Sequence, residues 1–356
     1  MTSSDPAAAL RRIAFLLERA REPSYRVQAF RSAAVVVDAM DDAELKRRIR
    51  TNTLKDLKGI GPKTATVVVQ AAKGQVPDYL ADLEEKFAEL VPLADDVAEF
   101  RAALRGDLHT HSDWSDGGSP IREMAEAALA LGHEYMALTD HSPRLTVANG
   151  LTPERLEKQL DVVAALNEEL APFRILTGIE CDINVDGSLD QTDELLERLD
   201  VVVASVHSDL RAESAAMTAR MLTAVANPHT DVLGHCTGRL VIGRRQRDGT
   251  QRPRPESQFD AEAVFAACVE FGTAVEINSR PERLDPPKRL LRLAVETGCL
   301  FAIDTDAHAP GQLDWQGNGC ERAVECDVDP DNVINTWLAE DLLDWTAGSR
   351  TPALTC

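Results

Sequence analysis

The feature that most constrains this chain is a repeated ending. Seven short apolar runs between residues 106 and 308 close on polar residues: GDLHTH, YMALTDH, ILTGIECDI, LDVVVASVHS, TDVLGHCTGR, TAVEINS and FAIDTDAH. Six of the seven deliver a histidine or an acid near their C-terminal end. Six of the chain's eight histidines are spent this way: His109, His111, His141, His207, His235 and His308. A histidine buried singly in a core is common, but six in register on successive runs need a shared purpose. In a strand, side chains alternate in direction, so His109 and His111 fall on the same side. Imidazoles that converge with carboxylates suit a divalent metal such as Zn or Mn. The two remaining histidines, His133 after a helix end and His229 in the Asn227-Pro228 turn, are expected at the surface or in support of the ligands.

Longer helical patterns separate the runs, which is the signature of βα units and a parallel sheet. Ser119-Pro120 and Thr152-Pro153 each read as a helix start, with an N-cap residue and proline in the first position. Parallel α/β barrels gather the C-terminal ends of their strands around one mouth, and chemistry collects there.

Charge divides the chain in two. The formal net charge is −21, yet residues 1–80 hold 14 Lys/Arg against 9 Asp/Glu, so the basic head leaves −26 on the remainder. The seven cysteines are scattered without a Cys-x-x-Cys pair. That argues against a disulfide framework and points to a reducing, cytoplasmic setting. No apolar run approaches the roughly 18 residues a membrane span needs.

In the head, Leu10, Ile13, Ala14 and Leu17 recur at helical spacing, as do Val27, Phe30, Ala34 and Val37. A third helix is expected over Asp42–Arg50. In TLKDLKGIGPKTATVVVQAAKG, Gly59-Ile60-Gly61 parts two short helical patterns, and Lys63 enters the first turn of the second. Two glycines so spaced allow a tight hairpin and close approach of backbone to a ligand. The free N–H groups of that helix start, with Lys63, make a phosphate site. Gly59, Gly61 and Lys63 are therefore the candidate DNA contacts. Residues 81–105 are acidic and helical in pattern and read as a connector.

The hairpin stretch, together with SYRVQAFRSAAVVVDAM, resembles the helix-hairpin-helix N-terminal domain of family X DNA polymerases. The set HTHSDWSDG, TDHS, GIECDI, ASVHS, LGHCTGR, EINS and DTDAH resembles the PHP (polymerase and histidinol phosphatase) family over essentially all of 106–350. The likeness is nearest to the PHP domain at the C-terminus of bacterial family X polymerases. It implies a distorted seven-stranded TIM-like α/β barrel after a small all-α domain, with two to three divalent ions, Zn or Mn. By position, His109, His111, Glu180 and Asp306 would hold one metal. Glu180 would bridge to a second, held also by His207 and His235. Asp116, His141 and His308 would hold a third, and the aspartate at 116 is the polymerase-like choice. The resemblance also implies DNA, gapped, nicked or at 3′ ends, as the partner of residues 1–80. Some family members carry a Schiff-base lysine four residues beyond the one matching Lys63, and here that position is Val67.

An anionic substrate needs cations beside so acidic a body. GRLVIGRRQRDGTQRPR follows His235 directly and supplies Arg239, Arg244, Arg245, Arg247, Arg252 and Arg254. Arg239 is the expected phosphate contact, joining His109, His111, Glu180 and Asp306 as the catalytic set. Arg280 and Arg283 are weaker candidates. The polymerase core, with its Gly-Ser pair and paired aspartates, is missing between the two modules, so no polymerase activity is expected. The leading reading is a metal-dependent phosphoesterase that cleaves phosphodiester bonds in DNA, as a 3′–5′ exonuclease or end-processing enzyme. The alternative is a small-molecule phosphatase of the histidinol-phosphatase type. Nine competent ligands argue against a non-catalytic scaffold.

Overall fold

The computed structural model describes residues 5–88, 93–243 and 251–349. They form two compact units that part between Pro92 and Leu93. Among the described residues no helix is long and apolar enough to cross a membrane, and the six described cysteines are free and buried.

The first unit is all helical: α1 Pro6–Arg19, α2 Ser24–Asp38, α3 Asp42–Thr51, α4 Pro62–Ala72 and α5 Asp78–Ala88. One apolar cluster joins them, including Leu10, Ile13, Leu17, Phe30, Val37, Val68 and Phe87. Val67 faces that core at 1% exposure. The expected hairpin stands between α3 and α4. Gly59 takes φ +98, a backbone that only glycine adopts readily, and a Cβ there would meet Val36 at 3.2 Å. The Thr64 hydroxyl accepts from the Gly61 amide at 2.9 Å and fixes the start of α4.

The stretch expected as a connector is divided instead. Leu83 and Phe87 pack into the first unit's core. Val97, Phe100 and Leu104, on and just after α6 Asp95–Ala103, pack into the second unit. Each half is amphipathic and buries its apolar face where it can, so neither stays a solvated linker.

The second unit is a seven-stranded parallel sheet in chain order: β1 Gly106–Thr110, β2 Tyr135–Leu138, β3 Arg174–Asp182, β4 Val201–Ser205, β5 Val232–Leu233, β6 Ala274–Asn278 and β7 Phe301–Asp304. Closure comes through a parallel bridge from Thr110 to Ala307 and the His111 amide bonded to the Ala307 carbonyl at 2.8 Å. The register shift between Asp107 and Thr110 and the two-residue β5 give the barrel its irregularity. Leu176, Val201, Val203, Val232, Ala274 and Ala302 share one buried cluster. Two or four residues further along those faces come Glu180, Glu276, Asp304 and His207, so apolar layers fill the barrel below and polar side chains crown it. Thr152 caps its helix as expected, with Pro153 in the first position. Pro120, rather than Ser119, stands at the cap of Ile121–Ala130.

Candidate metal centre

Glu180 lies at the focus of the crown. Its carboxylate is within 3.6 Å of five imidazoles: His141 Nδ1 at 2.8 Å, His235 Nε2 at 2.9 Å, His207 Nε2 at 3.2 Å, His109 Nε2 at 3.3 Å and His111 Nε2 at 3.6 Å. His308 completes the ring, its imidazole 4.2 Å from that of His111. Asp306 Oδ1 is 3.6 Å from His111 Nε2. Asp116 reaches His308 Nε2 at 3.2 Å and His141 Nε2 at 3.5 Å. Three groups have donor atoms close enough to share an ion: His109, His111 and Asp306; His141, Glu180 and His207; and His111, Asp116, His141 and His308. All nine sequence-derived candidates thus meet in one place.

The cluster fits a cation on physical grounds. His109 Nε2, both nitrogens of His111, His235 Nδ1 and Glu180 Oε2 are buried without a hydrogen-bond partner. Orphaned polar atoms of that kind are costly and rare, and here His109 Nε2 and His111 Nε2 both face Glu180 Oε2, at 3.3 and 3.6 Å. Imidazole with carboxylate is a donor set suited to Zn or Mn. Asp306 holds φ +53, a left-handed backbone that aspartate tolerates better than most residues.

The electrostatics of the metal-free protein follow from this crowding. Burial opposes the charge on Glu180, but His207, His109 and His141 outweigh it and hold the carboxyl well below its usual range. Asp306 is also held low, because Arg280 and Arg283 overcome its burial. Burial and the neighbouring His308 and His141 press His111 well below an ordinary imidazole. In His207 burial is overcome by Glu180 and Asp182, and the imidazole is pushed up to about 9. The exposures set a direction of approach: His109, His111 and His235 are sealed, whereas the side chains of His207, His308 and Asp116 are 14%, 17% and 39% exposed.

Arg239 is a correction. Its guanidinium donates to the carbonyls of Arg283 (3.1 Å) and Leu284 and makes no contact with any ligand. The cause is Asp285, which accepts from the Thr237 and Arg239 amides and the Thr237 hydroxyl, while Gly238 turns at φ +59. That turn swings Arg239 away from the crown. The cations at the ligands are Arg280, whose Nη1 is 3.3 Å from Asp306 Oδ1, and Arg283, whose Nε is 2.9 Å from Asp306 Oδ2. Arg254 is held by the Gly238 carbonyl at 2.6 Å and Arg252 is exposed. Arg244, Arg245 and Arg247 lie outside the described residues. Of the two places expected for His133, the surface is excluded: it is buried, 2.8 Å from the Arg101 guanidinium.

Four buried acids around the ligands escaped the sequence reading. Glu276 is 2.6 Å from His109 Nδ1, and Asp182 is 2.7 Å from His207 Nδ1. Asp140 accepts from Ser112, Ser115 and Gln159 and so fixes the loop that carries Asp116. Asp285 clamps the turn after His235. Alternation could have found Glu276, which shares a strand face with Asn278 in an otherwise apolar run.

Residues 107–280 match the PHP domain family, and residues 1–75 match a helix-hairpin-helix domain family. The chain is a PHP-domain protein with a helix-hairpin-helix head. A curated relative is the DNA polymerase/3′-5′ exonuclease PolX of Bacillus subtilis, 42% identical over 239 residues, covering 67% of this chain. The chain spans only 40% of the length of that relative. A probable phosphatase of Thermoanaerobacter is 27% identical over 241 residues, covering 65% of this chain and 89% of the relative. A crystal structure of histidinol phosphate phosphatase from Lactococcus lactis, with Zn, L-histidinol and phosphate, superposes with a TM-score of 0.46 at 19% identity over 62% of this chain and 92% of that one.

In the head, Gly59, Gly61 and Lys63 are exposed. The Lys63 ammonium sits 4.2 Å from the centre of the Tyr79 ring.

Proposed function

We propose that this PHP-domain protein is a metal-dependent phosphoesterase that hydrolyses phosphodiester bonds in DNA, at 3′ ends or at gaps and nicks, without polymerase activity. The observation that carries this reading is the convergence of five imidazoles on Glu180, with His308 beside them and buried nitrogens that have no hydrogen-bond partner. His109, His111, Glu180 and Asp306 would hold one ion, Glu180 with His207 and His235 a second, and Asp116, His141 and His308 a third. Bound there, Zn or Mn would supply Lewis acidity toward phosphate oxygens and acidify a water for attack on phosphorus. The chain's own residues do the rest. Arg280 and Arg283 hold Asp306 ionised and set positive charge beside the path along which a phosphate would enter. The sealed side at His109 and His235 keeps bulk water from the ligands, and the exposed side at Asp116, His207 and His308 faces substrate. The exposed hairpin at Gly59, Gly61 and Lys63 would grip a DNA backbone through amides and one ammonium.

The small-molecule phosphatase reading has its own support, since the chain spans most of the probable phosphatases but a minor part of the polymerase. One experiment separates them. The purified full chain is loaded with Mn or Zn and given gapped DNA labelled at either end beside a set of small phosphomonoesters. Stepwise loss of labelled nucleotides from a 3′ end is the expected result. Inert DNA with rapid release of phosphate from a monoester would replace this reading with the second.

A further inference from the structure

Glu276 touches the candidate centre twice. It is fully buried in β6. Its Oε1 takes the Nδ1 side of His109 at 2.6 Å, and its Oε2 accepts from the backbone amide of His235 and from Asn278 at 3.2 Å. His109 and His235 belong to different ions in the ligand assignment above, and their rings lie 5.9 Å apart. Glu180 faces Nε2 of both imidazoles, across the His109 ring from Glu276. His207 has its own support in Asp182, which contacts no other ligand among the described residues.

We propose that Glu276 is a positioning residue that ties the first and second metal positions together, by fixing the Nδ1–H form of His109 and the backbone of His235 with one carboxylate. A carboxylate can accept from both donors at once. The Nδ1–H bond leaves the Nε2 lone pair of His109 directed at the ion, and partners of this kind tune ligand basicity and orientation. A glutamine has one accepting oxygen, so its NH2 must confront either His109 Nδ1–H or the His235 amide. This inference rests on the ligand assignment and is independent of which phosphoester is cleaved.

The test is competition of the full chain, as wild type, Glu276→Gln and Asp182→Asn, against a chromophoric chelator with Zn alone. In E276Q the ions at the first and second positions are expected to weaken together, by about 10–100-fold each. In D182N only one is expected to weaken. Thermal unfolding of the metal-free proteins checks that E276Q is folded. A second measurement needs no variant: histidine ring ¹⁵N spectra of the Zn-loaded wild type should show His109 protonated at Nδ1. Weakening of a single ion in E276Q, unchanged binding, or a His109 protonated at Nε2 would each overturn the proposal. A wild type that takes up no divalent ion fails the ligand assignment itself, which is a distinct outcome.

Discussion

Replacing Glu180 with glutamine keeps the side chain's volume and removes the charge on which five imidazoles converge. The carboxylate is 1% exposed, so no water can take its place. Removing one partner from a buried ionic cluster leaves the others uncompensated, at a cost of about 3–5 kcal/mol. Each 1.4 kcal/mol is tenfold in a binding constant, so affinity for divalent metal is expected to fall roughly 10²-fold to a few thousandfold. Glu180 faces ligands of more than one ion, so stoichiometry should drop by at least two ions per chain. A proton signature should follow as well. In the wild type His207 is pushed up to about 9, burial being overcome by Glu180 and Asp182. At pH 7.5 the metal-free site therefore holds a proton that the ion must expel. Without Glu180 that proton is held less tightly, by Asp182 alone of the two carboxylates, so less proton release is expected. Calorimetric titration with Zn in buffers of different ionisation enthalpy reads affinity, stoichiometry and proton release together. An E180Q protein that binds the wild-type number of ions within about threefold of wild-type affinity would refute the reasoning, since electrostatic loss at a buried site cannot be that small.

Other outcomes follow from the same structure. The His133 imidazole is pushed down to about 3 by burial and by Arg101, against 6.5 for the free group. The folded protein therefore binds fewer protons than the unfolded chain between these values, so stability contributed by neutral His133 is present above about pH 6.5 and lost as pH falls toward 3. His133→Gln should flatten the fall of chemical-denaturation stability between pH 7 and pH 4, and an unchanged slope would contradict the assignment. Lys63→Glu should weaken gapped-DNA binding about tenfold and reduce its salt dependence, because a phosphate contact releases counterions. Filter binding across a salt series checks this, with turnover of bis-p-nitrophenyl phosphate unchanged in the same preparations.

The clustering of the candidate ligands was legible because it depends on one local rule. Strand alternation and the convergence of strand ends bring His109, His111, His207 and His235 to one mouth whatever the loops do. Arg239 was not legible because its direction depends on a distant residue. Asp285, almost fifty positions later, clamps the turn at Thr237–Arg239, and no pattern near Arg239 announces it. Arg280 and Arg283 gain their place beside Asp306 through the same loop. Glu276 and Asp182 lie within strands, where an isolated acid reads as an interruption until its histidine partner is located in space. The division of the connector was hidden for a related reason. Phe87 and Phe100 stand in similar acidic helices, and only tertiary packing assigns each to a different core.

The most direct test of the central claim is turnover of a generic phosphodiester by the full chain stripped of metal and then reloaded. The protein is dialysed against chelator, verified metal-free by elemental analysis, and assayed with bis-p-nitrophenyl phosphate before and after stepwise addition of Mn or Zn, beside His109→Ala. The account predicts no turnover in the stripped protein, recovery that tracks the second ion bound per chain, and no recovery in the variant. Turnover by verified metal-free protein, or full recovery in His109→Ala, would contradict it.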